Sequence, residues 1–335
     1  MNTDLQKLYD LFIQNRAVLR EHMSWETQAN QVAILGSYLY TAKGKTADAE
    51  RYERCKQLLK NSVGVFSAFR GYARAMVISK MALSDDPEGY LKGSLEIYGK
   101  LRELHKLTAS PFMVMAAMTL YENGGTAHAD ENIKLLEDLY RKEKDIHPIL
   151  INDYDRGYLA MIVTAFNNVD EVSHEIESCY EAAKDLCATK DPVHSLAQIL
   201  TFSGLPVERK VSLVRSIVDQ LEAKGHPIRK RTTLPAIGAL TILNMAVDTM
   251  VEEIVEIADR LKQEKGFRWL YADAKDRVMY AALLVFIHHT GVDQPALTDN
   301  ISATMVMTLI EQMVTLVICT CAGASAAAAS SSSSH

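Results

Sequence analysis

The chain has 335 residues, with 36 lysines and arginines against 42 aspartates and glutamates. Its formal net charge of −6 excludes a general attraction for nucleic acid or anionic lipid, so any basic site must be local. With 48% hydrophobic and 23% charged residues, and only 8 prolines and 16 glycines, the composition excludes disordered and fibrous classes and permits a large core.

In chain order, residues 3–22 predict one amphipathic helix in which Leu5, Leu8, Phe12, Val18 and Leu19 approximate a face and Thr3 or Asp4 caps the start. This helix is expected to seal the first repeat. A nearly all-apolar run follows at 29–42, closed by K-G-K, and an amphipathic partner occupies 46–60. The second apolar run is 70–83; its partner begins at S-D-D-P and reaches about Lys106, with Leu91, Leu95, Tyr98 and Leu101 at helical spacing. The third run opens at S-P-F (110–112) and ends at N-G-G (123–125), with a partner at about 130–144. The fourth is D-Y-D-R-G-Y-L-A-M-I-V-T-A-F (153–166), followed by 170–190. A fifth run starts at Asp191, a sixth at Leu234 and a seventh at Asp276; the partners of the fifth and sixth are about 206–224 and 248–265.

The anchors Ala29, Arg70, Pro111, Arg156, Pro192, Pro235 and Arg277 stand 36 to 45 residues apart, a period near 41. Three are prolines, which a first helical turn tolerates because its N–H groups have no partner there. In 206–224, Val207, Val211, Val214, Val218 and Leu221 form one stripe, while the charged residues lie mostly off it. The apolar runs are hydrophobic all round, as an inner layer flanked by other helices would be. A single hairpin of about 40 residues cannot bury that surface, and stacking supplies the missing neighbours.

The expected fold is therefore all-α. About seven αα-hairpins form one domain over 1–321, as a right-handed superhelix or a nearly closed α/α ring. Residues 3–22 and 301–321 are its terminal cap helices, and 322–335 is a disordered Ala/Ser tail. Between 301 and 329 the one charged residue is Glu311. Length would permit a membrane span, but threonine, serine, glycine and alanine dilute the run and no basic residues flank it. A capping helix is thus the first reading and membrane association the second.

The succession W-E-T-Q-A-N-Q-V-A-I-L-G-S-Y-L-Y (25–40), V-G-V-F-S-A-F-R (63–70), S-D-D-P-E (84–88), D-P-V-H-S-L-A-Q-I-L (191–200) and L-P-A-I-G-A-L (234–240) resembles a family from Gram-positive bacteria catalogued only as a domain of unknown function. The resemblance runs to about Ile287 and implies a bacterial origin, with no activity, cofactor or catalytic residue to carry over. Five cysteines without recurring spacing, Cys55, Cys179, Cys187, Cys319 and Cys321, suit a reducing compartment. No secretion-signal pattern opens the chain, so the cytoplasm is the expected location.

The candidate ligand-binding residues are arginine and tyrosine pairs at three helix starts: Arg70 with Tyr72, Arg156 with Tyr158, and Arg277 with Tyr280. Guanidinium forks beside helix N-termini suit phosphate or carboxylate; the alternative is that each arginine pairs with an acid such as Asp153, Asp155, Asp273 or Asp276. Arg229, Lys230 and Arg231, ahead of the sixth run, form a second possible anion site or a solvated turn. Asp153 and Asp155 could act as acid and base, although capping explains acids at a helix start.

The adjacent His288 and His289 end an apolar helix and need no metal, and Cys319 and Cys321 lack further zinc-type ligands. Cys179 and Cys187 read as core or half-buried thiols. Met113, Met115 and Met118 in one helix, and Met305, Met307 and Met313 in another, read as gap fillers, although thioethers also suit adaptable binding surfaces. No nucleophile, P-loop, dinucleotide or zinc-protease motif is present, and no cofactor is expected. The first functional reading is a non-catalytic protein-interaction scaffold. A binder of a small anionic or phosphorylated metabolite is the second, and a hydrolase or lyase within a helical ring is the third.

Overall fold

The structure, a computed structural model, describes residues 2–22, 29–105, 110–228, 233–268 and 274–290. Among these residues all regular structure is helical. In chain order the helices are α1 (Thr3–His22), α2 (Ala29–Ala42), α3 (Ala49–Ser62), α4 (Arg74–Leu83), α5 (Pro87–Leu104), α6 (Pro111–Glu122) and α7 (Ala129–Ile146). They continue with α8 (Arg156–Ala165), α9 (Val169–Ala183), α10 (Lys190–Leu200), α11 (Val207–Ala223), α12 (Thr233–Ala239), α13 (Val247–Gln263) and α14 (Ala274–Thr290).

Two classes of helix alternate. The even-numbered ones are the apolar runs and are buried on every side: in α6, all residues from Phe112 to Leu120 are buried, including Met113, Met115 and Met118. The odd-numbered ones are one-faced; in α13 the buried set is Met250, Val251, Ile254, Ile257, Ala258 and Leu261, a stripe of helical period. Starts are set locally. Asp86 accepts from the Gly89 N–H with Pro87 behind it, and Ser110 accepts from the Met113 N–H ahead of Pro111.

One predicted start moves, and the fourth run divides just ahead of Arg156. Residues 68–70 form a separate 3-10 turn capped by Ser67, and α4 begins four residues later, at Arg74, after Gly71 has broken the path. Residues 153–155 likewise form a 3-10 turn, closed by a reciprocal cap between Asn152 and Asp155, before α8 begins.

Of its even-numbered chain neighbours, each odd-numbered helix packs more on the one after it: α1 on α2, α5 on α6, α13 on α14; α11 packs more closely still on α13 and α9. The sequence reading paired each apolar run with the amphipathic run after it. Chain proximity alone does not separate the two phases, because every apolar run lies between two amphipathic ones.

The last described helix returns to the first: α14 packs on α1 as well as on α12 and α13. Tyr38 Oη of α2 donates to the Tyr280 carbonyl of α14 at 2.6 Å, and Asn30 Nδ2 donates to the Gly266 carbonyl at 2.7 Å. Phe12 packs against Tyr38 and Phe267 with ring centroids 4.5 and 6.0 Å away. These aromatic rings are fully buried, and such pairs contribute about 0.5–1.5 kcal/mol each beyond area burial. Gly266 has φ +107°, and a Cβ there would meet Arg16 Nη2 at 1.7 Å and Asn30 Oδ1 at 2.7 Å. Residues 3–22 therefore pack on both α2 and α14. The C-terminal cap, the tail and the span at 301–329 lie outside the described residues.

Successive odd helices are stapled at recurring positions. His105, just past α5, lies 2.7 Å from Glu137 of α7, and His147, just past α7, lies 2.7 Å from Glu177 of α9. Asp185, just past α9, pairs with Arg215 of α11 at 2.8 Å, and His226, just past α11, lies 3.6 Å from Asp259 of α13.

Candidate functional site

The odd helices end, and the even ones begin, on one end of the molecule. There the connections between α3 and α4, α5 and α6, and α7 and α8 carry Val65, Phe66, Tyr72, Leu104, Ile146, Ile149 and Tyr154, all exposed. Phe66 is 101% exposed and Ile149 93%, so neither side chain does any folding work in the isolated chain. Local structure holds them out: the 68–70 and 153–155 turns interrupt the entry to α4 and α8, and the Tyr154 ring rests on Phe112 at a centroid distance of 4.7 Å. Of the described large hydrophobics that are exposed, Leu205 alone lies at the other end.

Beside this face an open cleft of about 620 Å³ is lined by Leu104, His105, Asp130, Lys134, Glu137, Tyr140 and Lys144, among others, from the end of α5 and from α7. Arg156 contacts three of the residues that line it. The Arg156 Nε donates to Asp153 Oδ1 at 2.9 Å, Nη1 to Glu137 Oε1 at 3.2 Å and Nη2 to His105 Nδ1 at 3.3 Å, with the Tyr140 ring centroid 4.2 Å from its guanidinium carbon. Because His105 Nδ1 accepts from the guanidinium, its proton sits on Nε2 and is donated to Glu137 Oε2 at 2.7 Å. The arginine side chain is 5% exposed, and its fork is already shared between two carboxylates.

A second polar cluster lies behind it, between α7, α9 and α10. Glu143, Asp155 and His194 are buried; Ser173 Oγ donates to Glu143 at 2.6 Å and Gln198 Nε2 to Asp155 at 3.1 Å. His194 Nε2 is 3.4 Å from Glu143 Oε2 without an aligned hydrogen bond, and its Nδ1 is 3.9 Å from Asp155 Oδ1. Sealed from solvent, this cluster joins helices; it cannot meet a substrate as it stands.

The sequence-selected residues occupy separate places. Arg70 Nη1 donates to the Val63 carbonyl of its own loop at 3.4 Å, and Tyr72 is exposed beside it. Arg277 Nη1 donates to the Phe267 carbonyl at 3.1 Å, where the chain closes on itself. Tyr158 and Tyr280 are core residues, each 1% exposed. Asp153 and Asp155 diverge, one toward Arg156 and the other inward toward Gln198. Arg229, Lys230 and Arg231 lie outside the described residues.

Sequence reasoning missed His105, Glu137, Glu143 and His194, whose partners are distant in the chain. A signal existed: His105 and His147 are one repeat apart, each directly after a charged amphipathic run. Burial pushes the Cys179 thiol up to about 11, outweighing the nearby Lys210, which marks it as an inert core residue. No helix among the described residues is long and apolar enough to cross a membrane.

This helical architecture belongs to a recognised family. The description "Protein of unknown function (DUF4003)" matches residues 15–315, and the chain belongs to that family. It is 20% identical over 269 residues to "Uncharacterized protein YeaA" of Bacillus subtilis (strain 168), a match covering 79% of this chain and 80% of that protein. No solved structure matches.

Proposed function

We propose that this protein is a non-catalytic interaction scaffold of the bacterial cytoplasm. In this reading seven αα-hairpins, α1/α2 through α13/α14, stack into a ring. The end carrying Val65, Phe66, Tyr72, Leu104, Ile146, Ile149 and Tyr154 docks an apolar or amphipathic segment of another protein. The observation that carries the reading is this concentration of exposed large apolar side chains in three consecutive connections of one end. A hairpin array suits it, since each unit contacts its neighbours and its connections are free to vary. Binding of an anionic metabolite is less favoured, because the two carboxylates on Arg156 already occupy its guanidinium.

Burying an exposed Phe or Ile side chain contributes about 1.5–3 kcal/mol, so each of Phe66→Ser and Ile149→Ser should weaken partner binding at least tenfold. Photo-crosslinking residues placed at 66, at 149 and at the control position Asp85, which is exposed in the connection at the opposite end, test the placement in cells of a Gram-positive host. The expected result is one adduct of the same mass from 66 and 149 and none from 85. Equal adducts from all three positions, or none from 66 and 149, would overturn the reading.

A further inference from the structure

We propose that Glu253 of α13 with His288 and His289 of α14 forms a binding site for a divalent transition-metal ion of the zinc class. The ion would clip the last hairpin near the place where it meets α1. This inference is independent of the scaffold reading. One ligand atom from each of the three side chains lies within 4.8 Å of the others. His289 Nε2 is 2.8 Å from Glu253 Oε2, and the two imidazole rings stand edge to face with centroids 4.5 Å apart. Glu253 is 13% exposed and His289 22%, so the cluster is shielded yet open to an ion from solvent.

Three features separate it from the histidine staples elsewhere. At His105–Glu137 and His147–Glu177 one imidazole meets one carboxylate, which completes the contact between two helices. Here a second, adjacent imidazole faces the same carboxylate, and a helix-to-helix staple has no use for it. The histidines also sit in the last turn of α14, the end of a helix at which the macrodipole favours a cation. Finally, a second carboxylate is in electrostatic range: Asp4 of α1, exposed and paired with Lys7, acts on His288 together with Glu253.

The dimensions suit the ion. A tetrahedral site with bonds of about 2.0–2.1 Å places its donors about 3.3 Å apart. The 2.8 Å pair must open slightly, and the other separations, all within 4.8 Å, must close by at most about 1.5 Å, which side-chain rotation supplies. Imidazole nitrogen with carboxylate oxygen selects zinc, nickel, copper or cobalt over magnesium and calcium, which prefer all-oxygen shells. Two neutral imidazoles and one carboxylate leave one position for water.

The test uses the full chain, stripped of metal with a chelator and then titrated with zinc chloride by calorimetry, with cobalt(II) as a spectroscopic reporter of four-coordinate geometry. The expected outcome is one equivalent of zinc bound, a melting temperature raised by several degrees at about a hundredfold excess over Kd, and no response to magnesium. His288→Ala leaves the His289–Glu253 hydrogen bond in place and should keep the fold, checked by circular dichroism, while weakening zinc at least tenfold; adding Glu253→Gln should abolish it. Stoichiometric zinc binding that survives in the double variant, or wild-type binding no tighter than that of the variant, would overturn the proposal. So would an equal response to magnesium.

Discussion

Arg156→Met tests whether the arginine at the head of α8 is a structural tie or a free anion receptor. Methionine retains the apolar stem over Tyr140 and removes the guanidinium, which now holds Asp153 at 2.9 Å, Glu137 at 3.2 Å and His105 at 3.3 Å. Breaking a buried ion pair costs about 3–5 kcal/mol. Asp153 is 29% and Glu137 16% exposed, so both recover some hydration once unpaired, and the lower end, about 3 kcal/mol, is expected. An unfolding entropy of about 2.1 cal/mol/K per residue gives about 0.7 kcal/mol/K for the whole chain, so the melting temperature should fall by about 4 °C in scanning calorimetry. A double-mutant cycle with Glu137→Gln should show a coupling of about 1 kcal/mol or more. A fall below about 1 °C with no coupling would refute the structural reading, and loss of phosphate-induced stabilisation in the same variant would point to an anion receptor instead.

Gly266→Ala places a Cβ against Arg16 and Asn30 in a positive-φ backbone and should cost more than Gly44→Ala, where φ is +61° and the space is open. Urea midpoints should separate the two by about 1–2 kcal/mol, and equal losses would mean the closure is loose. Lys210 is fully buried with its ammonium on Glu175 and, at 2.9 Å, on the Leu200 carbonyl, so Lys210→Met should cost about 1–3 kcal/mol in the same assay. Arg215→Ala removes an exposed pair with Asp185 and should cost less than about 1 kcal/mol; the opposite ranking would contradict the assigned burial. Burial holds the Cys179 thiol at about 11, so about a thousandth of it is thiolate at pH 8. Its alkylation should rise about tenfold per pH unit toward pH 11 and trail that of the half-buried Cys187, as peptide mass spectrometry would show.

Periodicity made the helices legible, because an apolar run buried on all sides and an amphipathic run buried on one leave different patterns in the chain. Residues 206–224 and 248–265 were located to within two residues of α11 and α13. The start of α4 was not, since a 3-10 turn at 68–70 uses the same capping residues as a helix, whereas Arg156, read as a helix start, is the first residue of α8. At the candidate site the sequence suggested arginines with acids as alternative partners, and Asp153 beside Arg156 was visible as one of them. Glu137 and His105 were not, standing 19 and 51 residues from Arg156 on other helices.

By itself, then, the sequence determined the helical class, the alternation of buried and half-buried helices and the general lack of a basic surface, all of which are local or additive properties of composition and spacing. Only the tertiary structure decided which amphipathic helix each apolar one takes as partner, and that Tyr38 of α2 meets Tyr280 of α14. It alone brought Glu253 to His288 and His289. Those outcomes depend on contacts between residues tens to hundreds of positions apart, whose free energy exists only after the intervening helices have packed.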